Sequence, residues 1–220
     1  MGEGELQQLI DELFRPLLAR WLASRNVVAH VGSNTFIYYR QFDSSSRIAP
    51  DVYVLPDIPQ TRIGRSWKLW EIGVRPSFVL EVVSLDVDKD YFEVPAVHGA
   101  DIGTGELVIF DPEARGRKDR NVWQVYRRTR TGELRLVERS DGDRVVSKAL
   151  DCHLRVVGEG DAQRVRVATG SRGEVLFPTE AEAERAEKER EQAARIVLEG
   201  KLAALQQKLD RLRAKPRKRR

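Results

Sequence analysis

The chain has 220 residues, of which 41% are hydrophobic and 33% charged, with one cysteine and a formal net charge of +4. That is enough to bury one substantial core and carry an appendage. No apolar run approaches the ~20 residues of a membrane span, the N-terminus has no basic-then-apolar signal pattern, and Cys152 has no internal disulfide partner. A soluble, cytoplasmic protein is therefore expected.

The charge is unevenly spread. Seven Lys and Arg and no acid fall in the last ten residues, RLRAKPRKRR, so the rest of the chain carries three net negative charges. Polyanion affinity of the body must then be local to a cleft, while the tail suits either phosphate contacts or a solvated end.

Leu6, Ile10, Leu13, Leu17, Leu18 and Trp21 recur at helical spacing and predict an amphipathic helix over residues 5–25, kinked or divided at Pro16. Short strands follow near Val27–Val31 and Thr35–Arg40, separated by the turn residues Gly32-Ser33-Asn34. The polar loop Asp43-Ser44-Ser45-Ser46 leads to Pro50-Asp51 and the apolar strand Val52-Tyr53-Val54-Leu55, which Pro56 and Pro59 end. Another strand is expected at Ser66–Trp70, with Trp67 and Trp70 in the core. After the strand Phe78–Ser84, a polar helical segment spans about 88–98, and Leu107–Phe110 is a fully apolar strand closed by Asp111-Pro112. From 121 to 176 the pattern is strand, turn, strand, with Val122–Tyr126, Leu134–Val137 and Leu154–Val157 between Thr131-Gly132 and Asp141-Gly142. The order predicts an α/β fold with a mixed sheet and a β-rich extension.

The C-terminal segment differs in kind. Thr179 and Glu182 have capping-box spacing. Beyond them Leu198, Leu202, Leu205, Leu209 and Leu212 alternate steps of four and three, a heptad seam interrupted by Gly200. A two-stranded coil joining a homodimer, a helix packed on the body, and a solvated helix all fit. The expected division is a domain over 1–177, a C-terminal helix over 178–214 and a basic tail over 215–220.

One acid stands out. Glu81 sits inside Phe78-Val79-Leu80-Glu81-Val82-Val83-Ser84, a strand apolar on both faces. An unpaired carboxylate there costs several kcal/mol or shifts its pKa upward, so it needs a cation, a donor network or a catalytic task. Asp51 opens the other core strand, although an acid after proline can also simply end a loop. If the two strands are neighbours, Asp51 and Glu81 converge on one hard cation, and two carboxylates plus a backbone carbonyl such as that of Val82 suffice for magnesium. Ser84 reads as a turn residue, because no His is placed to activate it. Asp90 reads as a helix N-cap, and Asp151-Cys152-His153 as structural, since adjacent residues of an extended segment point alternately.

Pro50-Asp51, Glu81-Val82-Val83-Ser84, Lys89-Asp90-Tyr91 and Glu106 to Pro112 together resemble the Uma family of putative restriction endonucleases, within the PD-(D/E)XK nuclease superfamily. The resemblance runs in order and spacing over about residues 5–155. It implies a restriction-endonuclease-like core hydrolysing DNA phosphodiester bonds with Mg2+, or Mn2+, held by Asp51 and Glu81. It also implies a lysine two residues after the Glu, which orients water or offsets charge. Here that position is Val83. Uma-type proteins move the lysine to the next helix, four residues after an Asp, and here that position is Val94; His98 stands where the family usually has Tyr, and Ile102-Gly103-Thr104 looks like a small insertion. Lys89, the nearby lysine, is the substitute this reading names for a catalytic role. The alternative is a catalytically impaired nuclease fold kept as a DNA-binding or assembly module.

Overall fold

The structure, a computed structural model, describes residues 3–84 and 86–213. The basic tail beyond Arg213 and the seam position Leu212 lie outside the described residues and side chains respectively. The chain forms two compact units, 1–177 and 178–220. Among the described residues no helix is long and apolar enough to cross a membrane.

The first unit is built on a six-stranded mixed sheet. In chain order its strands are β1 (Ala29–Gly32), β4 (Val52–Pro56), β6 (Phe78–Val82), β7 (Glu106–Phe110), β8 (Trp123–Arg128) and β9 (Leu134–Ser140), which are also spatial neighbours in that order. Within this sheet only β6 and β7 pair in parallel, and its other ladders are antiparallel. A parallel pair needs a crossover, and residues 83–105 provide it.

Strand alternation divides the core in two. On one face Val52, Val54, Phe78, Leu80, Val82, Val108, Phe110, Trp123 and Val125 meet helix α1 (Glu3–Ser24) through Phe14, Leu17, Leu18, Trp21 and Leu22. The helix runs unbroken through Pro16, which lies on its exposed side. The same core continues into a four-stranded antiparallel sheet of β10 (Arg144–Ser147), β11 (Cys152–Val157), β12 (Arg164–Thr169) and β13 (Val175–Leu176). This sheet is the β-rich extension. The strands at 122–126 and 134–137, expected within it, belong to the central sheet instead, because their alternate residues complete the two faces of β7.

The opposite face, with Tyr53, Leu55, Val79, Leu107 and Ile109, is covered by a small sheet and by the crossover. The small sheet is β2 (Phe36–Tyr38) with β3 (Arg47–Ile48) antiparallel and β5 (Ser66–Lys68) parallel. Trp67 is buried and its indole donates to the Tyr53 hydroxyl at 2.6 Å. Trp70 is not core: the strand stops at Lys68, the helical turn α2 (Leu69–Ile72) follows, and the residue is 38% exposed. The crossover is not a regular helix. A short α-helix, α3 (Val94–Val97), lies between two wide turns, Lys89–Glu93 and His98–Ile102, in which Val94 and Gly103 donate to carbonyls five residues back. Gly103 ends the second turn at φ +79°, a conformation that favours glycine.

The second unit is the helix α4 (Glu180–Arg213). Its start is a reciprocal capping box: Thr179 N–H donates to Glu182 at 2.8 Å, and Glu182 N–H donates to the Thr179 hydroxyl at 3.2 Å.

Candidate active site

The antiparallel register Val52 with Leu80 and Tyr53 with Val79 carries Asp51 to the strand end beside Glu81. Asp51 N–H donates to Glu81 Oε2 at 3.3 Å, and Asp51 Oδ2 accepts from Val82 N–H at 2.7 Å. Both acids thus lie at one corner of the sheet. Asp51 is buried, and the Glu81 side chain keeps 16% of its surface.

Among the described residues no Lys or Arg is a direct partner of either carboxylate. Burial raises the Asp51 pKa to about 8, with the neighbouring Glu81 charge adding to the shift. Burial likewise raises Glu81 to about 8, the Asp90 charge contributing in the same sense. The ammonium of Lys89 opposes both shifts from the exposed first wide turn of the crossover. Its effect on both acids is through charge.

The crossover adds a partner that sequence spacing did not reveal. His98, only 1% exposed, places Nε2 3.3 Å from Glu81 Oε1 and Nδ1 2.7 Å from the Thr104 hydroxyl. Burial, then the nearby Arg128 charge, drives its pKa down to about 3, so the ring is neutral and carries one proton. An ionised Glu81 only accepts, whereas Thr104 can donate. With Glu81 ionised, as a metal ligand must be, the assignment that satisfies both contacts is Thr104 O–H to Nδ1 and Nε2–H to Glu81. Arg128 fixes this turn, donating to the carbonyls of Thr104 at 2.8 Å, His98 at 2.9 Å and Gly99 at 3.0 Å. The signal in the sequence was His98 itself, but a wide turn had to rotate it toward Glu81.

Asp90 does not cap a helix. It is buried, and its Oδ2 accepts from Ser84 N–H at 2.6 Å and the Ser84 hydroxyl at 2.7 Å, bracing the loop after β6. Val83 is buried and Val94 packs on the same apolar cluster, so no amine enters from either position. Cys152 is buried in β11, where desolvation pushes its thiol up to about 12.

A family model described as "Uma2: Putative restriction endonuclease" matches residues 1–156. The chain belongs to the Uma2 family. A solved structure of a putative nuclease belonging to DUF820, from Anabaena variabilis, is similar over 68% of this chain and 73% of that one, at 14% identity and a TM-score of 0.43. No curated protein matches. In this Uma2 chain the donor set suits a hard divalent cation: two carboxylates, each short of positive charge, at one corner of the sheet. Among the described residues no group of three or more His, Cys, Asp or Glu gathers as ligands. An ion here would therefore draw on the two acids, a backbone carbonyl and water.

Proposed function

We propose that the protein is a divalent-metal-dependent endonuclease hydrolysing DNA phosphodiester bonds. The observation that carries this reading is the Asp51–Glu81 pair, with raised pKa values, in a member of a restriction-endonuclease family. Asp51 and Glu81 would hold Mg2+ or Mn2+, with the Val82 carbonyl as a third ligand. A bound divalent cation supplies an activated water and neutralises charge building on a phosphate. Val82 N–H orients Asp51, His98 orients Glu81, and Lys89 contributes positive potential from the rim.

The test is nicking of supercoiled and linear DNA with magnesium or manganese. The wild type should cut only with metal, and Glu81→Ala should lower the rate at least about 100-fold. Absence of cleavage across both metals and all DNA forms would sink the enzyme reading. A second reading, a fold retained for DNA binding without turnover, is favoured by the apolar Val83 and Val94; metal binding without cleavage is its signature.

The exposed Leu198, Leu202, Leu205 and Leu209 keep seam spacing, and we read them as facing a second copy of the same helix. Deleting residues 179–220 should then halve the solution mass beyond the mass removed. An unchanged subunit number defeats this reading.

A further inference from the structure

We propose that a cavity two strands away from Glu81 is a binding pocket for one unstacked nucleobase of a DNA strand. The inference rests on the nucleic-acid reading above and adds a subsite to it.

The sheet register sets the position. Glu81 pairs with Ile109, Ile109 with Gln124, and Gln124 with Arg139. Directly paired residues share a face, so these four side chains form one row across β6, β7, β8 and β9. Strands lie ~4.8 Å apart, which puts Gln124 about 10 Å from Glu81 along that row. A cavity of about 370 Å³ opens there, against the first wide turn of the crossover. A phosphate held at Glu81 would leave a neighbouring nucleotide within reach of it.

The lining has the chemistry a base needs. Phe92, 70% exposed on that turn, offers an apolar ring with nothing stacked on it among the described residues. The floor is polar and fixed. Gln124 is 3% exposed, and its Oε1 accepts from the Tyr126 hydroxyl at 2.8 Å. Below the cavity the Tyr91 hydroxyl donates to Asp111 at 2.7 Å, and Arg120 grips the same carboxylate with two bonds of 2.6 Å. At the rim, Lys118 and Arg139 are exposed and join no ion pair among the described residues, against the single acid Asp119. An aromatic face, fixed hydrogen-bonding groups and rim cations combine base stacking with phosphate contact. A base still paired in a duplex cannot enter such a site, so the occupant is single-stranded or extruded.

Binding measured without divalent metal separates this subsite from catalysis. The full chain is titrated, with a chelator present, into a labelled single strand of about 16 nucleotides and into the same strand made abasic. The wild type should prefer the base-bearing strand at least about fivefold. Phe92→Ala should remove that preference and leave the abasic affinity unchanged, and Phe92→Trp should keep it. Arg139→Ser should weaken both strands alike and flatten the salt dependence. Equal wild-type affinity for the two strands, or an equal loss on both from Phe92→Ala, overturns the inference. If DNA is cut with metal while Phe92→Ala changes nothing, the subsite falls and the nuclease reading stands. Base-dependent binding that Phe92→Ala removes, without any cleavage, upholds the subsite and ends the nuclease reading.

Discussion

Glu81, largely buried, and Glu106, fully buried, are acids on the adjacent parallel strands β6 and β7, and they face opposite sides of one sheet. Glu106 is fully provided for. Arg127 Nε donates to it at 2.7 Å, Lys148 N–H at 3.0 Å, and the Ser147 hydroxyl completes the set. Among the described residues Glu81 receives only the Asp51 amide and the neutral His98 ring, each at 3.3 Å, and it has a second carboxylate beside it. A buried charge surrounded by donors fastens structure, here β10 onto β7. A buried charge left short of donors, beside another of like sign, is a place prepared for a cation. The pair thus separates a structural acid from a candidate ligand within one fold.

Removing each acid should break the comparison in opposite ways. Glu106→Ala leaves Arg127, 20% exposed, without its counter-charge, and should destabilise the protein by about 3 kcal/mol, with divalent-metal affinity unchanged. Glu81→Gln removes a like-charge neighbour and should leave the metal-free protein as stable as the wild type or more so, while metal affinity collapses. Denaturant melts and calorimetry on the two variants check both halves. Equal destabilisation by the two substitutions would erase the distinction.

Much of this architecture is legible in the sequence. Buried strands read as apolar runs, so Val52–Leu55, Phe78–Val82 and Leu107–Phe110 stand out, and Glu81 stands out because it interrupts one. The extension is harder to read. In β12 the buried Val165 and Val167 alternate with Arg164 and Arg166, a period-two signal diluted by charge. The local pattern at Trp70 continues a strand, but Leu69–Ile72 folds into a turn that Gly73 caps at φ +71°. The surroundings of Glu81 are least legible. His98 reaches it, backed by Thr104, through a turn closed five residues back, and no periodicity in sequence encodes such a turn. Asp90 resembles a cap because Asp commonly is one, whereas tertiary contact with Ser84 uses the same oxygen differently.

The next effect is one of pH, and its sign follows from the raised pKa values. Asp51 and Glu81, ordinarily near 3.8 and 4.5, titrate at about 8 in the fold. Between those limits the folded protein retains protons that the unfolded chain has lost, so metal-free stability falls as pH rises and the loss is complete above about 8. His98 acts oppositely. Its ordinary value of 6.5 is lowered to about 3, so below pH 6.5 the unfolded chain binds a proton that the folded ring refuses. Its contribution therefore makes stability rise with pH up to 6.5 and then stops changing. The window from 6.5 to 8 isolates the acids, and each retained proton should cost about 1.4 kcal/mol per pH unit there. Melting temperatures across this window should decline in chelator, decline less in Glu81→Gln, and recover with a saturating divalent cation. A flat wild-type profile would mean that both acids are already ionised and compensated.

The smallest effect sharpens the contrast further, because it concerns a group that touches Glu81 without being a ligand. His98 is held by Thr104 on one side and aims its other nitrogen at Glu81 Oε1. Glu106 has an arginine in the equivalent supporting role. A neutral donor orients a carboxylate while leaving its negative charge available to a metal, whereas an arginine would neutralise it. His98→Phe should therefore weaken divalent-metal binding about tenfold through misorientation of Glu81, the size usual for a lost supporting hydrogen bond to a ligand. His98→Gln, which can still donate, should recover most of that affinity; its melting temperature, read in parallel, separates orientation from folding. The sharpest version replaces His98 with arginine. A cation beside Glu81 should remove Glu81's share of the pH dependence of stability and exclude the metal, turning the Glu81 site into a second Glu106. If His98→Arg binds metal as tightly as the wild type, charge deficit is not what distinguishes the two acids.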